Sequence, residues 1–369
     1  MTGYAPHPDE SDPAAEASEA AEAVAAGYGG AAPPDDDGTG ARLDELVRGV
    51  DAPDVVLAVS RRGRRTVRCG GRAAPPPVPR DRARYELGSA SKVFTGLLLA
   101  HLADTGVLSA AAPAASFLAP ERPAARHPIT LTHLITHTSG LPPLPADFYP
   151  QAVRRWATNP YGHYSSDRVI SAFLRARPRH RPGAHWRYSN FGVATLGHAL
   201  AAATGTPWER LLTERLLRPL GLPDTAARPA SRAVDATGHR ADGRTPTPPL
   251  DVGGFQAAGA VRATPYELLT FLEAHLLPDG LPLEGALRAV QRPYLRRGFG
   301  HRHEHTLTWF RHPAPGGPVC FHAGATSGQQ AFLGFQPDTG TAVVALSTRR
   351  FRRADALVPT AYALLTSAH

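Results

Sequence analysis

The chain has 369 residues, of which 42% are hydrophobic, enough for two average domains or for one large domain with an insertion. Its formal net charge is +8, but the arginines are scattered or paired and form no helical stripe, which argues against a nucleic-acid-binding protein. No apolar run is long enough for a signal peptide or a membrane span, so we expect a cytoplasmic protein without a membrane partner. Cys69 and Cys320 match no metal or redox spacing and are expected to be buried, reduced thiols.

The first part of the chain divides into a tail and the start of a folded domain. Residues 1–40 consist mainly of Ala, Glu, Asp, Gly and Pro and are predicted to be a disordered tail, whereas residues 41–369 are predicted to be a single catalytic domain. The spacing of apolar residues predicts a helix over 41–50. Two strands are predicted over 54–60 and 64–70, joined by a turn around Gly63.

The rest of the chain is predicted to be helical in its middle and stranded at its end. A helix is predicted over residues 90–105, with Gly106 as its stop signal. Further helices are predicted over residues 129–140, 166–176, 191–205, 208–221 and 264–277. In the C-terminal part, strands are predicted over 305–311, 329–337 and 341–348, followed by a helix over 354–367.

Strands at both ends of the chain, with helices between them, predict a single sheet. Residues 41–100 and 291–369 would form the sheet part, and residues 101–290 an all-helical part packed beside it, which is an α+β fold. Ligand sites favour such an interface.

The segment Ser89-Ala90-Ser91-Lys92 contains the only lysine in the chain. Arginine cannot lose its proton in a protein, whereas a buried lysine can act as a base. If Ser89 begins the helix, Ser89 and Lys92 share one helix face, and the helix N-terminus favours a developing oxyanion beside the Ser89 N–H. The spacing therefore predicts a nucleophile and its base.

Two further segments carry candidate site residues. In Tyr188-Ser189-Asn190, a phenol near an ammonium can accept a proton, the rare Asn190 can hydrogen-bond a substrate, and Ser189 is predicted to cap the following helix. In His322-Ala323-Gly324, small residues before a strand expose backbone N–H groups to a substrate, although for this segment taken by itself a strand end with a turn is the favoured interpretation.

These three motifs, in this order, resemble those of the serine β-lactamase and penicillin-binding-protein superfamily. The similarity is closest to the class C-like branch, which includes DD-peptidases, esterases and D-amino-acid amidases. The accessory segments LTHLITHTSGLP, AAGAVRATPYELLTFLEAHL and GATSGQQAFLGFQPDTGTAVVALS agree, and the resemblance spans residues 42–367. It implies an α/β sandwich with an antiparallel sheet and a helical subdomain.

The resemblance also implies a covalent acyl-enzyme mechanism without metal or organic cofactor. Ser89 would be the nucleophile, and Lys92 and Tyr188 would share the role of base. The backbone N–H groups of Ser89 and Ala325 would form the oxyanion hole. Asn190 would position the substrate amide or the lysine, and His322 and Gly324 would lie on the substrate side.

The third motif departs from the superfamily pattern, in which a lysine and a hydroxyl residue precede the glycine. His322 and Ala323 stand in their place, which weakens the case for a substrate carboxylate unless Arg296, Arg297 or Arg302 compensates. We therefore predict an esterase, an amidase or an acyl-transferring enzyme acting on a small-molecule ester or amide, or on a peptide. The alternatives are a D-alanyl-D-alanine carboxypeptidase or class C-type β-lactamase, and a non-catalytic sensor; the sequence assigns no oligomeric state.

Histidines raise two separate questions. His301, His303 and His305 alternate along the chain and would share one face of a strand, where they could bind a metal, but a solvated loop at the site's rim is the favoured interpretation. His137 invites comparison with a triad histidine, but its place at a predicted helix end before Gly140 favours a structural role.

Overall fold

The computed structural model describes residues 38–123, 125–155, 159–297 and 303–367. The predicted tail lies outside the described residues apart from its last three positions, which belong to the first helix and the residue before it. His301 and Arg302 also lie outside them.

The core of the fold is an eight-stranded antiparallel sheet with the order β2-β1-β10-β9-β8-β7-β6-β5. The N-terminal hairpin joins the C-terminal strands through pairing of β1 with β10, the last strand in the chain. The predicted α+β fold with an antiparallel sheet is confirmed. The strands are β1 Val55–Arg61, β2 Arg64–Gly70, β5 Leu295–Arg297, β6 His303–His305, β7 Phe310–His312, β8 Val319–Ala325, β9 Gln330–Gln336 and β10 Thr341–Ser347.

The sheet is buried on both faces. Along β1, Val56 and Ala58 belong to the core shared with the central helices, whereas Val55, Leu57 and Val59 belong to a second core. This second core is closed by the first and last described helices, Thr39–Gly49 and Leu357–Thr366. Because successive side chains of a strand point to opposite faces, a stretch of strand buried on both faces is apolar throughout, as residues 55–59 of β1 are.

The remaining described helices lie between the two parts of the sheet in sequence. The helix predicted over 129–140 is much shorter and ends at Ile135. The strand predicted over 305–311 is divided into β6 and β7 by a turn, in which Thr306 Oγ accepts the N–H of Trp309. The helices are α1 Thr39–Gly49, α2 Lys92–Asp104, α3 Ala114–Leu118, α4 Leu131–Ile135, α5 Tyr149–Ala152, α6 Ser166–Arg175, α7 Asn190–Thr204, α8 Trp208–Leu212 continuing as a π-helical turn over Thr213–Leu217, α9 Gln256–Gly259, α10 Pro265–Leu276, α11 Glu284–Ala289 and α12 Leu357–Thr366.

A second, two-stranded sheet connects the two halves of the molecule near the Ser89 segment. Its strands are β3 Tyr85–Glu86 and β4 Arg262–Ala263. The buried carboxylate of Glu86 pairs with the Arg262 guanidinium at 3.2 Å and accepts the Leu250 N–H at 2.7 Å. This contact fixes the chain just before Ser89 against the segment that follows α9.

Only one of the two cysteines is buried as the sequence predicts. Cys69 and Cys320 are both free thiols; Cys320 is buried as expected, but the expected burial is wrong for Cys69, which lies exposed on β2. None of the helices in the described part of the chain is long and apolar enough to cross a membrane.

His275 on α10 makes the stability of this fold depend on pH. Its ring is fully buried among Phe271, Trp309 and Phe335, and burial lowers its pKa from 6.5 to about 4. Between these two values the unfolded chain binds a proton that the folded state does not, so stability is lost as the pH falls below 6.5. We expect this residue alone to cost about 2 kcal/mol of unfolding free energy between pH 7.5 and pH 5.

The His275→Phe variant removes the titrating group and keeps an aromatic ring in the same site. Urea unfolding at both pH values measures the effect: the wild type should lose more stability at pH 5 than the variant does. An equal loss in both proteins would assign the acid sensitivity to other groups.

Candidate active site

Ser89 lies in a tight turn between β3 and α2. The turn, Gly88–Ser91, is a 3₁₀ helix, and α2 begins only at Lys92. The Ser89 hydroxyl and the Lys92 amine nevertheless lie on the same side of the chain, with Lys92 Nζ donating to Ser89 Oγ at 3.0 Å. The predicted pairing of these two groups is thus present in the geometry.

Lys92 is enclosed within the protein, with only 1% of its surface exposed. Its Nζ also donates to the Ala258 carbonyl oxygen at 2.9 Å and lies 4.9 Å from the centre of the Tyr188 ring. A cation in this position is desolvated and confined by fixed partners, unlike a surface lysine. The structure therefore brings Ser89, Lys92 and Tyr188 into one buried cluster.

The Tyr188 segment is held in place by the start of α7. Ser189 caps this helix, as predicted, because its Oγ accepts the Gly192 N–H at 2.9 Å. Asn190, the first residue of the helix, lines the same cleft as Ser89, and its Nδ2 donates to the Tyr161 hydroxyl at 3.4 Å.

The turn that carries Ser89, Gly88–Ser91, is called the nucleophile turn, and it requires a glycine at position 324. The His322-Ala323-Gly324 segment lies near the C-terminal end of β8, which ends at Ala325 before a turn to β9, in agreement with the alternative of a strand end with a turn. A Cβ at Gly324 would lie 2.8 Å from the Ser89 nitrogen and closer still to the Leu87 carbonyl oxygen. The missing side chain therefore lets β8 pack directly on the turn that carries Ser89, rather than making room for a substrate.

Ala325 completes this contact and reaches the cleft. Gly88 has a φ of +50°, and a Cβ there would lie 2.9 Å from the Ala325 nitrogen. Ala325 and Ser89 both line the cleft. The oxyanion hole formed by their backbone N–H groups stays a prediction.

His322 is buried near Lys92 and outside the cleft lining. Its ring is 1% exposed and is not among the cleft-lining side chains. Burial, reinforced by the nearby charge of Lys92, lowers its pKa from 6.5 to about 3. The structure thus gives no support to the predicted substrate contact by His322, and the third motif supplies no cation at neutral pH.

The cleft in front of Ser89 has a mainly apolar wall. Neither this wall nor Arg350 was predicted from the sequence, because Leu250, Val252 and Arg350 come from irregular segments without periodicity. The residues that line the cleft are Gly88, Ser89, Pro160, Tyr161, Asn190, Leu250, Val252, Phe255, Ala258, Gly259, Ala325, Thr326, Ser327 and Arg350.

Among the described residues that line the cleft, the arginine is Arg350. Arg296, which the sequence suggested, lies on the edge strand β5, pairs with Glu304 at 3.1 Å and does not line the cleft. Arg302 and the side chain of Arg297 lie outside the described part of the structure. Arg350 follows β10, and its backbone N–H donates to the His239 carbonyl at 2.8 Å, which fixes its position at the rim.

The candidate metal histidines are used in other ways. His303 Nδ1 lies 2.9 Å from His312 Nε2, and His305 is buried with its Nδ1 donating to the Thr306 carbonyl at 3.0 Å. Both belong to β6, so the favoured solvated loop is wrong for these two residues. Among the residues that the structure describes, no group of three or more His, Cys, Asp or Glu side chains could hold a metal ion.

An antiparallel sheet between helical layers, with a buried Ser-Lys-Tyr cluster at the interface, defines a serine hydrolase of the β-lactamase type. Residues 41–367 match the Beta-lactamase family model, and the chain belongs to that family. The resemblance identified from the three motifs is therefore confirmed.

Individual relatives show the same relationship. A β-lactamase of Pseudomonas fluorescens is 26% identical over 77% of this chain and 84% of its own length. The D-alanyl-D-alanine-carboxypeptidase/endopeptidase AmpH of Escherichia coli is also 26% identical, over 64% of this chain, and the match spans only 60% of AmpH. A class C β-lactamase structure from Rhodobacter sphaeroides superimposes with a TM-score of 0.72 at 21% identity, covering 95% of this chain and 99% of that one.

Proposed function

We propose that the protein cleaves an ester or amide bond in a small molecule with an apolar acyl group, through an acyl-enzyme on Ser89. The Ser89 proton passes to the Lys92–Tyr188 pair as Oγ bonds to the acyl carbon. The same pair returns a proton to the departing alcohol or amine as its bond to that carbon breaks. Water or a second nucleophile then loses a proton to the pair and takes the acyl group, and Ser89 Oγ regains a proton.

The observation that carries this proposal is the combination of an apolar cleft with an uncharged third motif. Leu250, Val252 and Phe255 face the same cleft as Ser89 and offer an acyl chain a dry surface. His322 is neutral and set back from the cleft, so a substrate carboxylate has no partner in this motif. An apolar ester or amide meets no unpaired charge there.

Intact-mass spectrometry with a series of nitrophenyl esters, from acetyl to octanoyl, tests the proposal. A penicillin and a peptide ending in D-Ala-D-Ala serve as competing substrates, and Ser89→Ala as the control variant. We expect Ser89-dependent acylation that becomes faster with chain length. A stable penicilloyl adduct without ester turnover would contradict the proposal, and a folded protein that reacts with none of these reagents would favour the non-catalytic sensor.

A second candidate function is D-alanyl-D-alanine carboxypeptidase or class C-type β-lactamase activity. Arg350 at the cleft rim is the observation that favours it, because a guanidinium binds a carboxylate through paired hydrogen bonds. The names of the relatives, β-lactamase and D-alanyl-D-alanine-carboxypeptidase/endopeptidase, point in the same direction.

The Arg350→Ala variant separates the two candidates. If the substrate has a carboxylate, the loss of a charge-assisted hydrogen bond should lower kcat/KM by about 10- to 100-fold. A neutral ester with the same acyl group should lose far less. Arg296→Ala, on the edge strand away from the cleft, is the matched control, and equal losses for charged and neutral substrates would remove the support for the second candidate.

A further inference from the structure

His137 has a backbone conformation that is rare for a residue with a side chain. Its φ is +58°, and among the described residues only Arg62, at the tip of the β1–β2 hairpin, is another non-glycine residue with a positive φ. Only 2% of His137 is exposed. Such conformations persist where the surrounding structure holds them, and they concentrate near functional sites.

His137 holds the chain on both sides of Tyr188. Its backbone carbonyl accepts the Arg187 N–H at 2.8 Å, and its Nδ1 accepts the Ser189 N–H at 3.2 Å. The left-handed backbone thus lets one residue present its carbonyl oxygen and its ring nitrogen to the same segment. Because Nδ1 accepts a hydrogen bond, the proton of the neutral imidazole is on Nε2.

The His137 ring also packs on the Tyr188 ring. The two ring centres are 4.4 Å apart and the planes are tilted by 37°. Tyr188 therefore contacts both the imidazole of His137 and the ammonium of Lys92. His137 itself is not among the residues that line the cleft, so any effect on the reaction passes through its neighbours, of which Tyr188 is the one that contacts Lys92.

We propose that His137 is a positioning residue that sets the place of the Tyr188 hydroxyl relative to Lys92 and Ser89. This inference rests on the proposed function, because it concerns the proton that the Lys92–Tyr188 pair delivers to the leaving group. This role is distinct from ending helix α4. If His137 only ended the helix, glycine would replace it without loss, because glycine adopts the left-handed conformation at least as well.

The test compares two variants that suit the backbone equally well. Glycine and asparagine both tolerate a positive φ, but only asparagine keeps a hydrogen-bond acceptor close to the position of Nδ1. Acylation of Ser89 is followed by intact mass with two esters of one acyl group, a nitrophenyl ester and an alkyl ester. The alkyl ester has the poor leaving group and depends more strongly on a well-placed proton donor.

We expect His137→Gly to slow acylation by the alkyl ester by about 10-fold or more, to slow the nitrophenyl ester much less, and to change KM little. His137→Asn should restore most of the lost rate. In a Tyr188→Phe background, His137→Gly should have no further effect. If the glycine variant does not fold, the asparagine variant still tests the inference, because it should keep most of the wild-type rate with both esters.

Three results would overturn the inference. Equal losses for both esters would indicate a general structural defect. An asparagine variant as slow as the glycine variant would show that the hydrogen-bond acceptor has no role. A full effect of His137→Gly in the Tyr188→Phe background would exclude action through the phenol. A wild type that forms no Ser89 adduct with either ester would overturn the proposed function, and this inference with it.

Discussion

The Lys92→Arg variant is expected to acylate Ser89 at least about 10³-fold more slowly than the wild type, since a positioned base contributes roughly 10²–10⁴-fold. Lys92 is buried, and its Nζ contacts Ser89 Oγ and the Ala258 carbonyl, so this amine is placed to exchange a proton with the hydroxyl. Arginine keeps the positive charge but does not release its proton. The Lys92→Arg variant therefore keeps the positive charge but loses the proton transfer.

The measurement is the rate of adduct formation on Ser89 by intact mass with a nitrophenyl ester. Lys92→Met, which has a similar length and no charge, is the second variant, because the larger guanidinium has to fit into an enclosed site. Near-ultraviolet circular dichroism and thermal unfolding establish that each variant is folded. An arginine variant that acylates at a near-normal rate would show that the cation, not the base, is what the site needs.

The Gly324→Ala variant is expected to lose about 10²-fold or more in kcat/KM, comparable to the removal of one oxyanion-hole donor. The added methyl group would collide with backbone atoms of Leu87, Ser89 and Ala90, which cannot move aside as the end of a flexible side chain could. Strand β8 must therefore move away from the nucleophile turn, and the N–H groups of Ser89 and Ala325 separate. The unfolding temperature should fall as well.

Gly49→Ala is the matched control, because a Cβ at this helical position has no neighbouring atom within 4 Å. It should leave activity unchanged and raise stability slightly, since alanine favours a helix. The informative quantity is the loss of kcat/KM measured at a temperature where both variants are fully folded. Normal turnover by Gly324→Ala under those conditions would mean that the oxyanion is bound elsewhere.

The sequence was most informative where function rests on local spacing. Ser89 and Lys92 lie three residues apart, so their contact survives the replacement of a predicted helix start by a 3₁₀ turn. The β1–β2 hairpin and helix α7 also follow from short-range patterns, namely the turn at Gly63 and the cap at Ser189.

The features that the sequence did not predict depend on long-range packing. Arg350 reaches the cleft because β10 pairs with β9 and ends beside the β8–β9 turn. His322 was expected to face the substrate, but its side chain is buried and does not line the cleft, which depends on the packing of distant segments around it. The early end of α4 depends on His137, whose left-handed backbone is held by partners about 50 residues further along the chain.

The pairing of β1 with β10 also determines when this protein can acquire its site during synthesis. Val55 lies opposite Ser347, so the β1–β2 hairpin is translated long before the strand that covers its inner edge. Until then the apolar strand Val55–Arg61 lacks its neighbour, which leaves an edge that other nascent chains can pair with. Strand β8, which supports the nucleophile turn, is also translated late. A truncated product that stops short of β8 therefore contains Ser89 and Lys92 but lacks the strand that holds them in place.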